Sequence, residues 1–296
     1  MAKGIYSSLF GDSAPVKKRK PLFDKLADGQ PTPPPAPVPT AEKKDSLEIN
    51  VAVKNPRFDN EAIKEVLKGG SLAAGAKGEQ VVAVQQALLD LGFALPSGAD
   101  GAFGNQTKLA ISGFQTSQGL PRTGSIDAKT MRALDEVSPA PGLKAWEDPN
   151  ISSKAYAEPQ KINEKFARVI VDKSEHRLFL YDQAGKLEHI YPVATGKEGT
   201  ETDSGIKVVN GKLDDPSDVG RRLWNSPKAF GTKLMDLNFF DPRTGKTTHS
   251  GEELHGTFDD NSIGTNASHG CVRMFNKDVE QIYTNMKKGD FVVIKD

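Results

Sequence analysis

A change of hydrophobic period divides this chain and constrains its fold more than any other feature. Between Gln80 and Leu91 apolar residues recur at Val81, Val84, Leu88 and Leu91, the spacing of one helix face. Beyond Phe166 the period shortens. Val169 and Val171 stand two apart, and Arg177-Leu178-Phe179-Leu180-Tyr181 reads as a strand. A side-chain set built on one period cannot bury itself on the other, so the two stretches belong to different domains.

The helical part is expected over residues 59–137. Asp59 is placed to cap a short helix with Ala62, Val66 and Leu67 on one face, stopped by Gly69-Gly70. Three further helices follow. One ends at Gly92; a second opens at Asn105 or Thr107, with Leu109, Ala110, Ile111 and Phe114 inside; a third is capped by Asp127, with Met131 and Leu134 facing in. Asp100-Gly101-Ala102-Phe103-Gly104 is a turn between the first two. Such a unit buries a small core and holds no catalytic constellation, so it reads as a binding module or spacer. Residues 1–58 read as a disordered, Pro-rich arm whose Pro31–Pro39 stretch is a stiff spacer. Residues 138–165 read as a linker, with Trp146 packing on a neighbouring domain.

The β part is expected over residues 166–296. Leu187–Ala194 returns after a turn at Asp182–Lys186, and Ile206–Val209, Leu234–Phe240 and Phe291–Ile294 complete the strand set. One helix is expected there, capped by Asn276, with Val279, Ile282, Tyr283 and Met286 inward and Gly289 ending it. Many short strands with Gly-rich loops imply an all-β sandwich or curled sheet. The fold class is therefore multidomain: a small three-helix all-α domain followed by a mainly-β sandwich domain.

Charge and targeting signals exclude several roles. Lys plus Arg number 39 and Asp plus Glu number 39, so no net field draws the chain to nucleic acid or to an anionic membrane. No run reaches the ~18 apolar residues of a membrane span. No signal peptide is recognisable: Ser7–Phe10 is too short for an apolar core, and Lys17-Lys18-Arg19-Lys20 follows it rather than preceding it.

The chemistry concentrates in Ser268-His269-Gly270-Cys271-Val272-Arg273-Met274. Cys271 is the only cysteine, so it forms no internal disulfide, and His255 lies sixteen residues upstream in Leu254-His255-Gly256-Thr257. A thiol with an ordinary pKa near ~8.5 is mostly protonated at neutral pH, so an imidazole beside it has a chemical purpose. In an extended segment His269 would share the cysteine's face. Gly270 lets backbone approach a carbonyl closely, making the amides of Gly270 and Cys271 oxyanion candidates. Arg273 is placed to attract a substrate carboxylate, or else to pair with Asp278. His176, His189 and His249 receive no role.

Two resemblances follow. Gly78, Val81, Leu88, Leu91-Gly92, Asp100–Gly104, Thr107, Ala110, Phe114-Gln115, Gly119-Leu120, Gly124, Asp127 and Thr130 resemble the three-helix peptidoglycan-binding domain family. His255-Gly256-Thr257, Ser262-Ile263-Gly264, Ser268–Met274, Asn276, Asp278, Val279 and Gly289 resemble the L,D-transpeptidase (YkuD-type) catalytic family. That resemblance implies a cysteine L,D-transpeptidase acting on peptidoglycan tetrapeptide stems with a diamino acid at position three. Cys271 would be the nucleophile and His255 the base, oriented by a backbone carbonyl at Gly256 or Thr257. His269 would assist, Gly270, Cys271 and Gly256 would act through backbone groups, and Arg273, Ser268 and Thr257 would bind substrate. Terminal D-Ala would leave through a thioester, giving 3-3 crosslinks or exchange of the terminal residue. The rivals are an L,D-carboxypeptidase using the same residues and a non-catalytic wall-binding protein. A zinc peptidase is disfavoured, because no metal-ligand spacing is present; no metal or other cofactor is expected. One departure is the stretch Gly199–Gly205, which lacks the proline of the family's Thr-Pro-x-Gly loop. The implied site of action is the periplasm or cell envelope, with specialised secretion, phage delivery or cytoplasmic recycling as alternatives.

Overall fold

The computed structural model describes residues 51–296, which fall within one compact unit. The polyproline stretch and the Lys17–Lys20 run lie outside the described residues. Residues 51–58, read above as part of the arm, are packed onto the helical module. Phe58 is fully buried, and the N–H groups of Lys54 and Asn55 donate to the Asp135 carboxylate.

The helical module comprises α1 (Glu61–Leu67), α2 (Glu79–Asp90), α3 (Asn105–Ser117) and α4 (Ala128–Val137). The last three are the helices predicted from periodicity. Asn60 caps α1 by accepting from the Ile63 N–H, whereas Asp59 pairs with Lys64. Asp59 stands one residue too early to reach the first turn. Helix α3 opens at Asn105, one of the two starts expected, behind an N-cap at Gly104; Thr107 is buried and accepts from Gln85. Asp127 caps α4 as expected, its carboxylate accepting from the Thr130 N–H at 2.8 Å.

Residues 138–160 are a fitted strap. The Ala145 N–H donates to the Asp90 carbonyl, Ala145 and Ala155 are buried, and the Trp146 ring lies 4.0 Å from that of His189. Two small alanines let the backbone lie flat, which composition does not reveal. A short hairpin, β1 (Lys161–Ile162) and β2 (Lys165–Phe166), forms within the expected linker.

The mainly-β domain follows: β3 (Val169–Asp172), β4 (Arg177–Tyr181), β5 (Leu187–Pro192), β6 (Thr195–Gly196), β7 (Gly205–Leu213), α5 (Ser217–Trp224), β8 (Leu234–Phe240), β9 (Thr247–Thr257), β10 (Asn266–Ser268), β11 (Val272–Phe275), α6 (Asn276–Asn285) and β12 (Phe291–Lys295). Eight strands form one mixed sheet, ordered β11-β9-β8-β7-β12-β3-β4-β5, while β10 and β6 pair separately. Its ends approach one another, because Ala194, just beyond β5, exchanges both backbone hydrogen bonds with Arg273 of β11. The sheet is thus the curled form.

Alternation sorts the side chains. Val169, Val171, Leu178, Leu180, Leu254, Val272 and Met274 join one core with Val279 and Ile282 of α6 and with Met286 just beyond it. Ile170, Phe179, Tyr181, Ile190 and Val293 face the other way and share a core with the helical module. Strands β3 and β4 are buried on both faces, which explains their unbroken apolar runs. Asn276 opens α6 as its first residue rather than capping it, and its side-chain oxygen accepts from the Thr232 N–H. The helix ends at Asn285; Gly289 lies in the turn beyond.

Candidate functional site

The site is built on β9 and β11, which run parallel with Val272 opposite Leu254 and Arg273 opposite His255. Leu254, Val272 and Met274 enter the core, so Glu253, His255 and Arg273 take the opposite side. Cys271 immediately precedes β11 and lies half-buried on that same side. Its thiol donates to Glu253 Oε2 at 2.7 Å. Burial, reinforced by the charge of Glu253 and by this hydrogen bond, pushes the thiol up to about 12. Burial also raises Glu253, against the opposing effect of the thiol's hydrogen bond. At rest, then, the sulfur keeps its proton and shows it to a carboxylate.

His255 is buried, and its Nδ1 lies 2.6 Å from the Gly256 carbonyl. A carbonyl only accepts, so Nδ1 carries the hydrogen and Nε2 keeps its lone pair. Burial lowers the imidazole to about 4, and the Arg273 charge adds to this. The ring is therefore neutral at pH 7. Phe230 meets it edge-on at 5.0 Å and shields it from water.

The loop before β11 is held by Ser268. Its buried hydroxyl donates to the Cys271 carbonyl at 2.6 Å and accepts from the Gly270 N–H at 3.2 Å. Gly270 takes φ +117°, and residues 269–271 form a bend. The bend removes the extended geometry assumed for His269. That residue is exposed and its ring sits 5.3 Å from the Trp224 ring. Of the oxyanion candidates, the Gly270 N–H is engaged by Ser268, and the Gly256 N–H donates to Lys233. Gly256 contributes its carbonyl. Thr257 is buried, and its hydroxyl accepts from the Asp259 N–H. Arg273 has no ion-pair partner among the described residues, and its buried Nε has no hydrogen bond; the pairing with Asp278 is not made.

The stretch without the family proline is fixed by other means. The Gly196 N–H donates to Thr202 Oγ1, the Lys197 N–H donates to the Ser268 carbonyl, and the Asp203 N–H donates to Glu252. A Cβ on Gly196 would lie 2.2 Å from the Thr200 carbonyl oxygen, so the loop closes only over glycine. Beneath the loop, Glu252 and Lys207 form a buried ion pair.

Sequence reasoning missed Glu253, the residue in direct contact with the thiol. It stands two residues before His255, so a strand reading of 247–257 would have put both on one face. It also missed Trp224 on α5.

The fold defines a two-module protein: a small helical domain seated on a curled β domain that presents one thiol. Residues 167–294 match the L,D-transpeptidase catalytic domain (YkuD) family, and residues 77–134 match the peptidoglycan binding domain family. A Bacillus licheniformis protein bearing the L,D-transpeptidase name YkuD is 30% identical over 127 residues, covering 43% of this chain and 64% of that protein. A Bacillus subtilis protein bearing the L,D-transpeptidase name YqjB is 31% identical over 130 residues, covering 43% of this chain and 70% of that protein. The crystal structure of an L,D-transpeptidase from Xylanimonas cellulosilytica aligns over 75% of this chain and 96% of that one, at 23% identity and a TM-score of 0.41. The chain belongs to the YkuD L,D-transpeptidase family and carries a peptidoglycan binding domain. No helix among the described residues is long and apolar enough to cross a membrane.

Proposed function

We propose that this protein is a cysteine L,D-transpeptidase acting on peptidoglycan tetrapeptide stems at the cell wall. The observation that carries the reading is the placing of Cys271, a neutral His255 anchored through Nδ1, and Arg273, which has no ion-pair partner among the described residues, along one side of the β9–β11 pair. Arg273 receives a carboxylate of the stem. The arriving stem displaces the thiol from Glu253, and His255 Nε2 takes the thiol proton. The sulfur then attacks the carbonyl joining the L-centre of the third residue to D-Ala. The Cys271 N–H faces the developing oxyanion. The C–N bond breaks, the departing D-Ala nitrogen takes the proton back from His255, and a thioester remains on Cys271. An amine from the diamino acid of a second stem then gives its proton to His255, attacks the thioester and restores the thiol. Each carboxyl-centred step is neutral in protons, and the imidazole is the shuttle throughout.

A neutral imidazole with pKa about 4 is a weak base for a thiol near 12. Productive transfer therefore requires the carboxylate to be separated from the sulfur first, which substrate binding between them accomplishes. The helical module holds the β domain against glycan-linked stems. The test is mass spectrometry of muropeptides after incubation with disaccharide-tetrapeptide. The expected product is a 3-3 linked dimer with release of D-Ala. Tripeptide alone would identify water as acceptor and replace transpeptidation by L,D-carboxypeptidase activity. An unchanged tetrapeptide would support a wall-binding protein without catalysis.

A further inference from the structure

Where the strap crosses from the helical module to the β domain it roofs a cleft of about 710 Å3, lined by residues of all three segments. None of its lining residues is Cys271, His255 or Arg273. The cleft lies at the opposite end of β11 from the cysteine, because it is bounded by Phe275 and Asn276. Its wall carries a ladder of rings: Trp146 on His189 at 4.0 Å, and His189 on Tyr191 at 4.1 Å. Trp146 is half-exposed, whereas Tyr191 is 1% exposed.

Two polar groups stand in this wall, Tyr191 and Asp278. The buried Tyr191 hydroxyl has no hydrogen bond among the described residues. A buried hydroxyl left unpaired costs about 1–3 kcal/mol, so one beside a cleft points to a ligand. Asp278 forms no ion pair among the described residues, and burial raises its carboxyl to about 6. Its place in the first turn of α6 suits a carboxylate, but that alone does not account for the neighbouring orphan phenol.

The charges choose among ligands. Around the cleft Lys277 stands against Asp260 and Asp278, while Lys144 and Arg57 share Asp90, so the charges balance. Burial lowers His189 to about 4, so it is neutral at pH 7. The cleft therefore offers no net field to an ionised group. The face of Trp146 turned away from His189 suits the C–H face of a pyranose, and the phenol and carboxyl suit its hydroxyl and acetamide groups.

We propose that this cleft binds a neutral N-acetylhexosamine segment, and so holds a glycan strand while Cys271 works on its stem. The inference rests on the wall-directed reading above, but its test is independent of catalysis. A Trp224→Phe, Cys271→Ala protein leaves Trp146 as the sole tryptophan, since the chain has two. Titration with a β-1,4-linked N-acetylglucosamine tetramer is expected to change its fluorescence saturably. Tyr191→Phe in that background should weaken binding about tenfold, while the thermal midpoint stays level or rises because an unpaired buried hydroxyl is gone. No saturable change, or equal affinity in Tyr191→Phe, overturns the proposal. Displacement of the signal by a sugar-free tetrapeptide, with no response to the tetramer, overturns it in favour of a peptide site. An active enzyme that fails this titration loses only the cleft; a sugar-binding protein without transpeptidation loses only the proposed function.

Discussion

At the scale of single residues the decisive contact is between Cys271 and Glu253. The carboxylate accepts the thiol's hydrogen and its charge opposes a thiolate. Glu253→Gln keeps a hydrogen-bonding group and removes the charge. The thiol pKa should fall, so the pH profile of iodoacetamide alkylation is expected to move down by about one unit or more. An unmoved or raised profile would mean that burial alone sets the thiol. The two histidines should separate cleanly. His255→Ala is expected to slow acylation by about 100-fold or more, the usual scale of a lost general base. His269→Ala should cost under about tenfold, because that ring is exposed on Trp224. Single-turnover acylation rates decide this, and equal losses would reassign the base. That Cys271, His255 and Arg273 fall close together was legible, because the motif puts rare residue types at fixed spacing. Glu253 was not, because a glutamate is ordinary on any surface until its strand is paired.

At the scale of elements, the loop from Ser268 to Cys271 fixes the thiol, the proposed nucleophile. Gly270 sits at φ +117°, yet a Cβ there would meet nothing nearer than 3.8 Å. Gly270→Ala therefore tests backbone strain without steric clash. It should cost about 1–3 kcal/mol of stability and lower acylation more than tenfold, read by thermal melting and single-turnover kinetics. Normal acylation would show that the bend does not position the sulfur. Helices α2 to α4 and strands β4, β5, β7, β8 and β12 were legible from periodicity. Strand β9 was not: Thr247-Thr248-His249-Ser250-Gly251-Glu252-Glu253 carries no apolar alternation, and pairing on both sides with β8 and β11 makes it a strand. Helix α5 escaped for a related reason. It is short, contains Gly220, and leaves Leu223 and Trp224 exposed, so it offers no buried face to read.

At the scale of the whole molecule, Arg177 joins the modules. It is 1% exposed and donates from Nη1 to the carbonyls of Leu91 and Ala155, each at 2.9 Å, while pairing with Glu175. Phe93 of the helical module and Phe179 of β4 lie within 4.3 and 4.9 Å of its guanidinium carbon. Only a planar fork makes all these contacts, so lysine would not replace it. Arg177→Ala leaves Glu175 and two carbonyls without their partner and should cost about 3–5 kcal/mol. Calorimetry should then resolve two unfolding transitions; a single unshifted transition would show the modules are joined by apolar contact alone. Sequence placed an arginine in an apolar strand but could not say what it reached, since Leu91 lies 86 positions away. The central claim is acyl transfer through one sulfur. Intact-protein mass spectrometry after brief exposure to disaccharide-tetrapeptide tests it most directly. The expected result is an adduct equal to the stem minus D-Ala, mapped to Cys271 and absent from Cys271→Ala. Turnover by the alanine variant, or an adduct on any other residue, would contradict it.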